Sequence, residues 1–241
     1  MSFSEAGLAP IGQIGMYEQS TDVGLGTRLG FGYETHDGRT FRFGRTGAAN
    51  VGELMATAAV VANHRVLTAV AAAIGAVDIT QTLGATLATS NQYSQGNWHC
   101  VRGPGLGQTR KIRHHPAAAL SANLRITLMD ALTIALTTAS RITLRQNRFA
   151  DIVCMPTAAT RDPVGIAQVT VTVASSYCWF QTRGFGLVLA EAALTVGQPF
   201  TMGSATCGAV RVIAAHAEAQ LGVANDTTAA ADHCPANIML E

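Results

Sequence analysis

The sequence predicts an all-β fold: a sandwich or barrel-like domain of the jelly-roll type, then a smaller β-barrel-like domain, with an extended N-terminal arm in front. Three observations point there. Short segments of alternating apolar and polar residues recur along the chain between Gly-rich turns, the pattern of sandwiches and barrels. Charged residues make up only 13% of the 241, against roughly 25% in ordinary soluble domains, so the Glu- and Lys-rich repeat of a coiled coil is absent. The apolar share is 48% with 24 glycines, which excludes intrinsic disorder, because disorder needs high charge and low hydrophobicity. A chain of this length can bury a core without staples. The formal net charge of +1 disfavours a strongly electrostatic partner. A weakly charged surface suits coverage by other subunits.

Taken in order, residues 1–30 are rich in Gly, Ser and Thr. They read as an extended arm of the kind that lies across a neighbouring subunit, with simple fraying as the alternative. The opening residues have no basic region and no long apolar run, so they do not read as a signal peptide. The longest apolar stretch, Val66 to Val77, is too short for a bilayer span of ~20 residues. From Phe31 the pattern is β. Asp37-Gly38 allows two hairpin registers. A two-residue loop pairs Glu34 with Phe41. A three-residue loop, His36 to Gly38, pairs Tyr33 with Phe41 and Phe31 with Phe43. The second register is expected, because it puts the aromatic residues on one face and Gly38 where a left-handed residue is required.

Asn50-Val-Gly-Glu53 resembles a capping box, and Leu54, Met55, Ala58 and Val61 then form one face of a short helix. The rival is an extended segment through Val60 and Val61. Val77, Ile79, Leu83, Ala85 and Leu87 alternate with Asp78, Thr80, Thr82 and Thr86, which predicts a half-buried strand. Gln81 interrupts its apolar side, and Gly84 marks a bulge. Segments 97–102 and 108–114 flank Gly103-Pro-Gly-Leu-Gly107 and read as a hairpin. Arg125-Ile-Thr-Leu128 recurs as Arg141-Ile-Thr-Leu144. With Leu132, Ile134 and Leu136 between them, 124–145 reads as three successive strands. Asp162-Pro163, after the polar stretch 157–160, is the candidate boundary between domains 31–156 and 157–241. Beyond it, short strands are expected around 169–173, 177–183, 185–189, 195–200, 209–213, 220–223 and 238–240, with Gly184 separating the second from the third.

The five cysteines, Cys100, Cys154, Cys178, Cys207 and Cys234, are widely spaced and form no Cys-x-x-Cys. They read as buried, reduced thiols of a protein folded in a reducing cytoplasm. Catalytic spacing is missing: no Gly-x-Ser-x-Gly, no phosphate loop, no His-Glu-x-x-His. Lys111 is the one lysine. A glycosidase would need two of the scattered acids facing across a sugar, which no local spacing encodes. Neither catalytic residues, nor a cofactor, nor a metal site is expected, and the chain does not read as an enzyme. His114-His115 is no chelate, because adjacent strand residues point to opposite faces.

One cluster stands out: Arg102, Arg110, Lys111, Arg113, His114 and His115 surround a single hairpin. It reads as a solvated hairpin whose charges protect a sheet edge, or as a contact to an acidic protein surface. Nucleic acid is disfavoured, because no aromatic stacking ladder accompanies the cations. Trp98 and Trp179 lie inside strand patterns and read as core, the rival being an outward carbohydrate platform.

The order and wording of several segments resemble a group of tailed-bacteriophage virion structural proteins, and within it head decoration (cement) proteins. The segments are Asp37-Gly38-Arg39 with Phe41-Arg42-Phe43, Val60-Val-Ala-Asn-His64, Ala72-Ala-Ile-Gly-Ala76, Thr82-Leu-Gly-Ala-Thr86, Ser90-Asn-Gln-Tyr93, and Lys111-Ile with His115-Pro-Ala-Ala118. Pro163-Val-Gly-Ile166, Tyr177-Cys-Trp-Phe-Gln-Thr-Arg-Gly184 and Leu221-Gly-Val223 follow. The likeness covers about residues 33–240 as scattered short segments. It implies a non-enzymatic subunit, a homotrimer or a dimer, that clamps adjacent major capsid protein subunits on the outer capsid surface after assembly in the host cytoplasm. It implies no nucleic-acid or membrane partner and brings no catalytic residue. The arm and the basic hairpin are the expected shell contacts. The alternative is a tail fibre or adhesin that recognises glycans through exposed Trp and Tyr side chains. A third reading, a particle-borne hydrolase, would show paired acids in a cleft.

Overall fold

Alternation of β-branched and polar residues makes strands throughout, and Gly-rich links keep them short. In the computed structural model, residues 17–21, 28–48, 50–51 and 54–241 are described. The chain divides into two units, one made of residues up to Ala59 with Arg148–Glu241, the other of Val60–Asn147. The first, the split unit, begins with β1 (Gly32–Glu34), β2 (Thr40–Arg45), β3 (Asn50–Val51) and β4 (Leu54–Ala56). The inserted unit holds β5 (Leu67–Thr68), β6 (Asp78–Thr82), β7 (Asn97–Arg102), β8 (Thr109–His114), β9 (Asn123–Leu128) and β10 (Arg141–Arg145). The split unit resumes with β11 (Val153–Cys154), β12 (Pro163–Ala167), β13 (Thr170–Val171) and β14 (Tyr177–Leu189). Its last strands are β15 (Pro199–Met202), β16 (Val210–Val212), β17 (Gly222–Ala224) and β18 (His233–Met239). The fold is all-β, as expected, with a curled sheet in one unit and a nearly closed barrel in the other.

The inserted unit is one long antiparallel ribbon rolled on itself. Leu67 pairs with Ile142, Ala72 with Leu136, Ile79 with Ile126, Ala88 with Ala118, and Trp98 with Arg110. The register stays nearly constant from the open end to the β7–β8 hairpin. Rolling sets β10 beside β7 and β8 beside β9, giving the order β5-β10-β7-β8-β9-β6. Ala69 then bridges to Gln81, and the Val70 N–H donates to the Thr80 carbonyl, bringing β5 against β6. Inward positions carry Trp98, Ile112, Leu124, Ile126 and Ile142, all fully buried. Where the ribbon bends, the same turn recurs. The Thr89 N–H donates to the Gln92 side chain and the Gln92 N–H returns to the Thr89 carbonyl. Thr137 with Ser140, and in the split unit Thr195 with Gln198, repeat it.

In the split unit β14 is the organising strand. Along 177–183 it pairs with β2, and from Arg183 onward with β18. Gly184, at φ 88°, sits at this change of partner. The Gln181 side-chain amide bridges the Arg183 and Phe185 carbonyls there. The two strands expected on either side of Gly184 are therefore one strand with a bend. The sheet continues β11-β4-β12-β14-β18-β17-β15-β16. A second ribbon runs through it, with Leu189 opposite His233, Leu194 opposite Thr228 and Pro199 opposite Val223. Phe41, Phe43 and Trp179 form an aromatic core patch. Both tryptophans are buried, so neither is an outward platform.

The hairpin register is the three-residue one: Tyr33 pairs with Phe41, the Phe43 N–H donates to the Phe31 carbonyl, and Gly38 has φ 79°. The helix expected from Asn50 is not formed. Leu54, Met55 and Ala56 are all buried in β4, which is hydrogen-bonded on both sides by β11 and β12. A strand enclosed on both edges and faces has no polar side, so its apolar run imitates a helix face. Glu53 lies outside the described residues. Only a short 3-10 turn, Ala62–His64, follows. Between β9 and β10 there is no third strand. Leu132 and Leu136 are buried and Ile134 is exposed, but that segment hydrogen-bonds at single points to 72–76. The 157–163 region is not where the units divide, because Pro163–Ala167 pairs with both β4 and β14. Most of the arm lies outside the described residues. Within 17–21, Ser20 bridges to Tyr177.

Candidate functional site

The β7–β8 hairpin carries the predicted basic cluster, and the structure sorts its members. Arg102, Lys111, Arg113 and His114 are exposed, Arg110 is half-buried and His115 is buried. Arg110 shares the inward parity of Ile112. Its guanidinium therefore turns to the barrel end, donating to the Ala131 carbonyl (2.9 Å) and the Thr133 hydroxyl (3.1 Å). His114 faces Asp78, Arg125 and Thr127. Hydrogen bonds from Thr127 and then Arg125 hold the Asp78 carboxyl below the usual carboxylate range.

The fold adds cations that sequence spacing missed. Strand β10 lies against β7, so Arg145 stands opposite Asn97 and Arg141 opposite Arg102. Asn97 in turn faces Lys111 on β8. Arg102, Lys111, Arg141 and Arg145 thus share three adjacent strands that contain no acidic residue. Burial, followed by the charges of Arg145 and Lys111, lowers the His99 pKa between them. Like charges directly opposite on a sheet are destabilising. At the Arg102–Arg141 pair the ladder shifts register, and Arg141 Nη1 donates to the Thr138 and Ser140 carbonyls. The repeated Arg-Ile-Thr-Leu phrase was the available signal for Arg141, since both copies sit in this barrel.

His115 belongs to a buried polar cluster with Tyr93 and His64. The Tyr93 N–H donates to His115 Nε2 (2.9 Å), and His115 Nδ1–H donates to the Pro116 carbonyl (2.8 Å). His64 Nε2–H donates to the Thr86 carbonyl (2.9 Å), and its Nδ1 shares a hydrogen bond with the Tyr93 hydroxyl. His115 has one nitrogen that must accept and one that must donate, so its ring is neutral with a fixed tautomer. Burial lowers the His115 pKa and raises that of the Tyr93 phenol. This cluster pins the 84–93 and 115–118 links to each other. It is not a surface contact, so His115 leaves the candidate list.

The split unit holds two further features. Cys154 and Cys207 form a disulfide, while Cys100, Cys178 and Cys234 are free and buried. The expectation of five reduced thiols is thus corrected. The Gly208 N–H donates to the Met155 carbonyl, which lays the 203–209 loop beside β11, an adjacency that linear spacing cannot reveal. Nearby, burial works to raise the Glu191 pKa, but N–H groups of Ala205 and Thr206 and the Ser204 hydroxyl outweigh it and hold it low. The same loop walls a groove reached by Arg161, Arg211 and Glu218.

Among the described residues, no three His, Cys, Asp or Glu side chains stand where they could hold a metal ion. No described helix is long and apolar enough to cross a membrane. No family model, no curated protein and no solved structure matches the chain.

Proposed function

We propose that this chain is a non-enzymatic structural subunit of a tailed-phage particle, a trimer or dimer that decorates the outer capsid surface and clamps adjacent major capsid protein subunits. The observation that carries the reading is the cationic face of the inserted unit, where Arg102, Lys111, Arg141 and Arg145 lie on three adjacent strands without an acid among them. Such a face suits an acidic protein surface, steering approach and register. The exposed side chains Ile74, Leu106 and Ile134 of the same unit supply apolar surface that a neighbour would cover. Many modest contacts of this kind add up through avidity when subunits bind as a symmetric oligomer. The segment resemblance to decoration proteins favours the same reading.

The test is mass-spectrometric quantification of the protein in purified particles of the phage that encodes it. A copy number near that of the main shell protein, with imaging that places it on the head, is the expected result. A handful of copies per particle would replace this reading with the fibre or adhesin one. Absence from the particle would end the virion reading.

A further inference from the structure

We propose that the groove of the split unit binds a small amphiphilic anion, with a carboxylate or sulfonate head on Arg161 and an aliphatic or aromatic body along the groove floor. The groove encloses about 450 Å³, within the roughly 300–1,000 Å³ of small-molecule sites. Its floor is apolar, built from Met155, Met202 and Leu221.

The charge on its wall decides the ligand class. Arg211 and Glu218 form an ion pair of 2.7 Å and neutralise each other. Arg161 is left as the net charge. Half-buried arginines elsewhere among the described residues have partners for their guanidinium groups: Arg39 with Asp37, Arg42 with Glu241, Arg45 with Asp151, Arg110 with the Ala131 carbonyl, Arg141 with the Thr138 carbonyl. Arg161 is half-buried too, yet its guanidinium has no hydrogen bond or ion pair among the described residues. Partial desolvation of an unpaired cation is unfavourable and favours an incoming anion. The walls are fixed beforehand. The Cys154–Cys207 disulfide and the Glu191 carboxylate, accepting from Ala205 and Thr206, hold the 203–207 loop. A site ordered in advance loses less entropy on binding. The inference concerns the split unit alone and does not depend on a place in a virion.

The probe is 1-anilinonaphthalene-8-sulfonate, a sulfonate on an apolar aromatic body, titrated into the full-length chain with fluorescence readout. Saturable one-site binding is expected, displaced by octanoate. Arg161→Gln should weaken it roughly tenfold or more, the scale of a lost charge-assisted contact. Ala219→Trp, which fills the groove wall, should abolish it. Arg102→Gln, on the other unit, should leave it unchanged. Thermal midpoints of all variants are measured alongside to confirm folding. Equal affinity in the folded Arg161→Gln variant, failure of octanoate to compete, or equal weakening by Arg102→Gln would each overturn the proposal.

Discussion

Replacing Gln81 by Met should make the protein more stable. Gln81 is an inward residue of β6 between Ile79 and Leu83, only 1% exposed, and neither its Oε1 nor its Nε2 has a hydrogen-bond partner. A buried polar group without a partner costs about 1–3 kcal/mol. Methionine has nearly the same length and shape, carries no amide and adapts to irregular space. The exchange therefore removes the penalty without opening a cavity, and a gain of about 2 kcal/mol is expected. For a chain of this size that raises the midpoint by about 4–8 °C. The assay is urea unfolding in a Trp179→Phe background, so that Trp98, in the same barrel core as Gln81, reports. The urea midpoint should rise while the slope stays the same. Gln81→Glu, equal in size but bringing a charge into the core, should lose several kcal/mol, on the order of the cost of an unpaired buried charge. An unchanged or lowered midpoint for Gln81→Met would refute the reasoning, because it would mean that the amide is satisfied in solution.

Other outcomes follow from the same structure. Trp179→Ala removes a fully buried ring 5.3 Å from Phe43 and 6.0 Å from Tyr33; it should cost about 3–5 kcal/mol in chemical denaturation and flatten the near-ultraviolet circular dichroism. Acid should loosen the inserted unit. The folded His115 pKa lies below its unfolded value of about 6.5, so the unfolded chain takes up protons first and stability falls as pH drops from about 6.5 through the folded value. Thermal midpoints at pH 7.5 and 5.5 should show this fall, and it should be smaller in His115→Gln. Lys111→Glu with Arg145→Glu should change stability by no more than about 0.5 kcal/mol yet abolish salt-sensitive binding to purified phage shells; unaltered binding would remove the cationic face from the proposed contact.

What could be read from the sequence was local. The 33–43 hairpin register followed from Asp37-Gly38 and from keeping Phe41 and Phe43 on one face, because turn chemistry and pleat act over a few residues. Burial of Trp98 and Trp179 followed from their place in alternating runs. The Gln81 anomaly was visible as one polar residue on an apolar side. What failed was set by partners far along the chain. Leu54–Ala56 carries a solid apolar run, and only β11 and β12 on its two edges make it a strand. Leu132, Ile134 and Leu136 alternate as a strand does, but they meet the 72–76 segment at isolated points. Arg141 and Arg145 join Lys111 only because the ribbon rolls β10 onto β7. The Cys154–Cys207 bond joins residues separated by 53 positions, a distance over which spacing rules say nothing.

Insertion of one unit within the other also sets a schedule for synthesis. Every strand of the 60–147 unit pairs within that stretch, so the barrel can close as soon as β10 leaves the ribosome. Strand β2 can pair early only with β1, and on its other edge Phe43 must wait for Trp179. At about 5–20 residues per second, that wait is on the order of ten seconds. Meanwhile Phe41, Phe43 and the bare edge of β4 are open to other nascent chains on the same polysome. A translation pause anywhere between β4 and β14 would lengthen that window. Aggregation during expression should therefore originate in the first sixty residues, however stable the finished barrel is.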